Sequence, residues 1–319
     1  MRWLERQHGL EPCLVAALLA LLACLAPLAL YALALALFGL PHVLSEAAWI
    51  RRSYRRQLPG RWWALLLATL LIQALARLAG WQGSLSPRDV AWLDLATLAL
   101  AFCTVLAARE ALRAPWRSCV LALAVAGLLL AGQHSGWQLA LLAVLSIAHN
   151  FTPLLLAPAQ SHWGGRPLRP TLRLLFCLPL CLLLLPWLGW QPFAASAQLP
   201  APGEPAMLGL PSPLAFAPAL VLAQCLHYYS VIRLLPGATL GEQAPPARSY
   251  RKLLPALAAC AALSAYFACA YSDARALYAV AAGAHAWLEW PLILLLTGLK
   301  PAAPAAPPLA SLNLSRPLP

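Results

Sequence analysis

Long apolar runs, separated by short charged segments, dominate the pattern of this chain. They read at 13–50, 62–79, 90–108, 118–132, 137–158, 171–189, 213–234, 253–271 and 275–298. A bilayer core of about 30 Å takes roughly 20 helical residues. Within it the backbone must satisfy its own hydrogen bonds, which favours helices. The pattern therefore predicts an all-α, polytopic transmembrane helix bundle of about nine spans, filling residues 13–299 as one domain. Residues 1–12 read as a polar, charge-balanced N-terminus (Arg2, Glu5, Arg6, Glu11). Residues 300–319 read as a Pro/Ala-rich disordered tail. The run 13–50 exceeds one perpendicular span, yet only Pro27 punctuates it. It is read as a single tilted or broken helix, kinked near Gly39-Leu40-Pro41.

Composition agrees with the pattern. Of 319 residues, 62% are hydrophobic and 10% charged, and the mean hydropathy is +0.72. A soluble domain carries about 25% charged residues. The net charge of +12 comes without an RNP, zinc-finger or helix-turn-helix pattern, so nucleic acid is not an expected partner. The basic residues instead mark alternate loops: Arg51–Arg61, Arg109–Arg117, Arg166–Arg173 and Arg248–Lys252. The intervening loops hold Arg88 beside Asp89, Asp273 beside Arg275, and no base at 133–136 or 190–212. By the positive-inside rule, Arg51–Arg61 is cytoplasmic, 190–212 is outside, the N-terminus is outside and the C-terminus inside. The expected location is a bacterial inner (plasma) membrane. Nine cysteines, mostly within apolar runs and with no C-x-x-C pair, read as small hydrophobes.

Four histidines interrupt the apolar runs: His42, His149, His227 and His285. They fall in the first, fifth, seventh and ninth runs, which all proceed in the same direction. At 1.5 Å per residue their depths from the next cytoplasmic landmark are roughly 14, 14, 9 and 22 Å. Tilted or kinked helices would bring all four to one layer near mid-membrane. Each alone is equally a helix–helix hydrogen-bonding residue. Together they read as one metal site, since neutral imidazole is the commonest metal ligand. His8, His134 and His162 lie in terminal or loop regions and are left out.

Glu46 and Glu289 follow His42 and His285 by four residues, placing each pair on one helix face. An acidic group at mid-membrane costs about 2.5–3.5 kcal/mol on insertion scales, so both need a purpose. Each is expected to orient its own imidazole; direct ligation and an ion pair with Arg233 or Arg77 are the alternatives. Gln224 and Asn150 are further candidate polar neighbours. Asp94 lies too near the outer end of its run to join them.

An imidazole-rich set with open positions suits iron, copper or zinc, and ligand softness alone does not choose. The segment Gly39-Leu40-Pro41-His42 near the end of the first run resembles the Brp/Blh family of membrane carotene-cleaving dioxygenases, in which four histidines are taken to hold a non-haem iron. The resemblance implies that role for His42, and for His149 and His227 as ligands from later helices. Val43 stands where the family carries glycine. With no H-x-x-x-H pair in the chain, His285 stands in for the family's later histidine. The expected function is an integral-membrane, non-haem metal-dependent oxygenase or oxidoreductase, with the lipid bilayer and a hydrophobic small molecule as partners. The alternatives are a transporter or assembly factor using the His/Glu set as a proton or metal path, and a bis-His haem b protein.

Overall fold

Each apolar run folds as helix, and where a helix stops the cause is local. The structure, a computed structural model, describes residues 2–134, 137–158, 161–163, 165–189, 213–238 and 254–299. The helices are α1 (Arg2–Leu25), α2 (Pro27–Tyr54), α3 (Gly60–Trp81), α4 (Pro87–Cys103, continued as 3-10 helix over Thr104–Ala111), α5 (Pro115–His134), α6 (Gln138–His149) and the one-turn α7 (Pro153–Leu156). After the two-residue strands β1 (His162–Trp163) and β2 (Arg166–Pro167) come α8 (Leu168–Leu184), α9 (Ala217–Tyr229), the short α10 (Leu235–Gly237), α11 (Leu254–Cys269) and α12 (Tyr271–Gly298). Among the described residues, seven helical segments are long and apolar enough to cross a membrane. Many leucines face outward, Leu14, Leu67 and Leu128 among them, over more apolar surface than a soluble monomer tolerates. The chain is an all-α integral-membrane bundle. The expected tail at 300–319 and the loop at 190–212 lie outside the described residues.

The first run departs from expectation. It is two helices, broken at Ala26, whose φ of −149° and ψ of 64° leave the helical region. Pro27 follows as the first residue of α2, where its missing N–H costs nothing and its fixed φ suits a helix start. The chain turns back at this point. Val15 and Leu19 of α1 face Leu30, Leu37 and Phe38 of α2 across an apolar cleft. Glu11 reaches Arg233, with Oε1 3.0 Å from Nε. Ser45 of α2 donates to the Val231 carbonyl at 2.9 Å, so Arg233 belongs to the end of the bundle where α2 finishes. The start of α1 therefore shares an end with Arg51 rather than lying opposite it. That end also gathers Arg61 with Glu110 (2.8 Å) and the Arg113 N–H on the Gly298 carbonyl (2.8 Å). The expected kink does not end α2, which runs on through Gly39 and Pro41.

The run 137–158 also breaks, immediately after His149. Pro153 has no N–H to give the His149 carbonyl. Thr152 supplies both replacements, its N–H at 3.0 Å and its Oγ1 at 2.7 Å. Beyond His227, α9 passes into a π-helical turn over Ser230–Leu234, a widening of the ladder often found at functional sites.

Candidate metal centre

Four helices each bring one histidine to the middle of the bundle: α2 (His42), α6 (His149), α9 (His227) and α12 (His285). All four are buried, none more than 8% exposed, and one ligand atom from each lies within 4.8 Å of the others. The rings pack directly on one another. Centroids of His149 and His227, and of His149 and His285, are 4.6 Å apart, and those of His42 and His285 4.8 Å. His285, fifteen residues before Lys300 and the deepest of the four by sequence, is delivered by α12 to the same layer.

Both carboxylates join the cluster with no exposure at all, but neither makes its shortest contact with the imidazole one turn before it. Glu46 does not serve His42, one turn before it. Its Oε2 lies 3.0 Å from His285 Nε2 and 3.6 Å from His227 Nε2. Glu289 Oε2 lies 2.7 Å from His149 Nδ1, and its Oε1 is 3.9 Å from His285 Nε2. Glu46 thus ties together two helices other than its own, while Glu289 reaches α6 and keeps a longer contact with His285 on its own helix. The alternative ion pairs are taken by other acids: Arg77 pairs with Asp94 (2.8 Å) and Arg233 with Glu11.

Backbone carbonyls help to set the ring tautomers. His42 Nδ1 lies 3.2 Å from the Phe38 carbonyl, and His285 Nδ1 3.1 Å from that of Ala282. A carbonyl only accepts, so each Nδ1 carries the hydrogen, which leaves His42 Nε2 its lone pair, whereas His285 Nε2 shares a proton with Glu46 Oε2 at 3.0 Å. Outer hydrogen bonds of this kind are how proteins prepare imidazole for a metal. Other polar atoms in the cluster lack partners among the described residues: both ring nitrogens of His227, Oε1 of Glu46, and both oxygens of Glu289, whose short approach to His149 falls outside hydrogen-bond geometry. Buried polar atoms are seldom left so. Two carboxylates in one dry site also need a shared proton or a cation between them. The donor set therefore fits a metal ion. Nitrogens held about 2.0–2.1 Å from one ion in a tetrahedron sit roughly 3.3 Å apart, so the 4.8 Å envelope has to draw in slightly on binding. A second grouping, Glu46, His227, His285 and Glu289, is equally compact.

The two expected amide neighbours fare differently. Gln224 sits one layer out, donating from Nε2 to the Tyr228 hydroxyl at 2.7 Å. The Asn150 side chain bonds back to Ser146 and Ile147 on its own helix, beside the cavity that reaches the histidines. The sequence reading missed the Tyr228–Tyr278 pair. Tyr228 stacks on His42 with centroids 4.0 Å apart, and its hydroxyl meets that of Tyr278 at 3.2 Å. Gly39 makes room for this arrangement, since a Cβ there would stand 3.0 Å from the Tyr278 ring. The signal was present: Tyr278 precedes His285 by two helical turns on one face. A cavity of about 330 Å³, lined by Tyr31, Arg77, Gln224 and Arg275, reaches His42, His149 and His285.

Set against models of protein families, curated proteins and solved structures, the chain matches none of them, so the geometry of these six residues carries the functional reading alone.

Proposed function

We propose that this chain is a membrane-embedded metalloprotein in which His42, His149, His227 and His285 hold one metal ion, iron before copper or zinc, the last of which would bring no redox chemistry. Its activity is oxidation or oxygenation of a lipid-soluble substrate. The observation that carries this is the meeting of four buried imidazoles from four helices, backed by two buried carboxylates. A redox metal would supply electron transfer or dioxygen activation; the chain supplies fixed tautomers through Phe38 and Ala282 and shielding from bulk water. The layout is compatible with the Brp/Blh resemblance, which stays part of this proposal. By the positive-inside rule the Arg51 end is cytoplasmic, with α1 starting and α12 ending on that side, and 190–212 is outside. The membrane is then a bacterial inner membrane.

Ring packing argues against the haem reading. Imidazoles 4.6–4.8 Å apart, with Tyr228 stacked on His42 at 4.0 Å, leave no slot for a porphyrin between axial ligands. The polar cavity gives the transport reading some support, yet Arg275 and the Asp94-paired Arg77 line it and no acidic side chain does, which gives an entering cation nothing to bind. Water or dioxygen suits it better. Elemental analysis of the purified protein tests the proposal. About one equivalent of iron, lost in each single His→Ala variant, is the expected result. Protein free of transition metal, purified without chelator and still folded, would refute it.

A further inference from the structure

We propose that the polar cavity over the histidines binds a small water-soluble carboxylate, which enters past Arg275 and is held between Arg77 and the cluster. This goes beyond the metalloprotein reading by adding a charged ligand, and the entry of that ligand needs no metal. The cavity lies toward the end of the bundle opposite Arg51. Tyr31, near the start of α2, and Arg275, near the start of α12, stand at its far end, with His42, His149 and His285 at its floor. Arg275 precedes His285 by ten residues, about 15 Å of helix. It is exposed, whereas the three histidines are buried, so the cavity joins the surface of the bundle to its centre.

Volume and lining select the occupant. About 330 Å³ is the space of roughly ten waters, at the lower end of the range for ligand pockets. The polar lining includes both arginines, Tyr31 and Gln224, and holds no Asp or Glu. A cleft with one sign of charge and low-dielectric walls concentrates ions of the other sign. Overall charge points the same way. Glu46 and Glu289 would neutralise a divalent ion, and Asp94 neutralises Arg77. Arg275 is left over, with no ion-pair partner among the described residues, and Asp273 just before it does not line the cavity. One monoanion restores the balance.

Arg77 makes that anion a carboxylate. Its Nε and Nη2 donate to Asp94 at 2.9 and 2.8 Å, and its Nη1 to the Ala279 carbonyl at 2.6 Å. A guanidinium has five N–H donors, so one remains on each Nη, and paired donors of this kind match the two oxygens of a carboxylate. They lie close to the floor. A Cβ on Gly283 would stand 2.5 Å from Arg77 Cζ, and Gly283 is about 3 Å of helix rise from His285.

The test uses purified full-length protein in phosphatidylcholine nanodiscs, without the nine native cysteines and with one cysteine at Ala282→Cys, in the cavity wall. The probes are an anionic and a cationic thiol reagent, the sulfonatoethyl and trimethylammonioethyl methanethiosulfonates. Relative to exposed Gln82→Cys, the anionic reagent should be favoured at Ala282→Cys by about tenfold. Arg275→Gln should bring that preference down to the control, and Arg275→Glu should reverse it. Sodium acetate should slow labelling more than sodium chloride at equal ionic strength. Arg77→Lys keeps the charge and loses the fork, so it should abolish the acetate effect. Ala279→Cys, one turn nearer the mouth, serves in the same way if Ala282→Cys does not fold. No preference for the anionic reagent, or acetate no better than chloride, would overturn the proposal. Metal content of the same samples separates the two readings. Metal retained without the preference removes the anion site alone, and the preference in folded, metal-free protein removes the metal site alone.

Discussion

Glu46 and Glu289 sit at mirrored positions in sequence and have different work in the structure. Glu46 bridges His285 and His227, whereas the short contact of Glu289 is to His149. Replacing either by glutamine keeps the size and removes the charge, and should weaken metal affinity about 10–100-fold. Competitive chelation on purified variants measures this; unchanged affinity in both would return the pair to a structural role. Gly283, two residues before His285, makes an independent prediction. A Cβ there would fall 2.5 Å from both Arg77 Cζ and Gln73 Nε2, the side chains that bind Asp94. Asp94 in turn accepts from Trp287 through its carbonyl (2.9 Å). Gly283→Ala therefore pushes against a buried network rather than a flexible tip. It should cost about 1–3 kcal/mol, seen as a lowered unfolding midpoint in detergent.

At the scale of elements, the breaks matter more than the helices. His149 ends α6 because Pro153 cannot continue the ladder, and Thr152 closes the gap. Thr152→Val keeps the shape and deletes the hydroxyl, leaving the carbonyl with one donor fewer; about 1 kcal/mol of stability should go with it. Metal binding should weaken as well, since the position of His149 depends on that turn. This scale is also where reading the sequence reached its limit. The histidines were legible because a costly polar group inside an apolar run must have a reason to be there. Their partners were not. Spacing of four says that His42 and Glu46 share a face, but which neighbouring helix a carboxylate leans toward depends on packing that no local pattern records. The break at Ala26 was hidden for a similar reason: a hairpin usually shows a polar turn, and here one residue before a proline suffices. Asp94, near the outer end of its run, stands apart from the cluster, engaged by Arg77.

For the whole molecule, the doubling back of α1 changes the topology without disturbing the rest. The alternation of basic and non-basic loops assigns sides from Arg51 onward, and it is unaffected by what precedes Pro27. Only the N-terminus moves, because α1 returns to the end where Glu11 meets Arg233. The structure thus links two facts that hydropathy treated separately: whichever side Arg51–Arg61 occupies, the start of α1 occupies it too. The positive-inside rule predicts that this side is the cytoplasm. Single cysteines at Gln7, Ser53 and Ser196, in a background without the native nine, test both parts in intact cells with a membrane-impermeant maleimide. Gln7→Cys and Ser53→Cys should label only after permeabilisation, and Ser196→Cys without it. Labelling of Gln7→Cys in intact cells, with Ser53→Cys still protected, would break the α1 hairpin and restore an outside N-terminus. Labelling of both from outside, with Ser196→Cys protected, would keep the hairpin and invert the whole bundle. The cavity lined by Arg275 would then lie toward the cytoplasmic side.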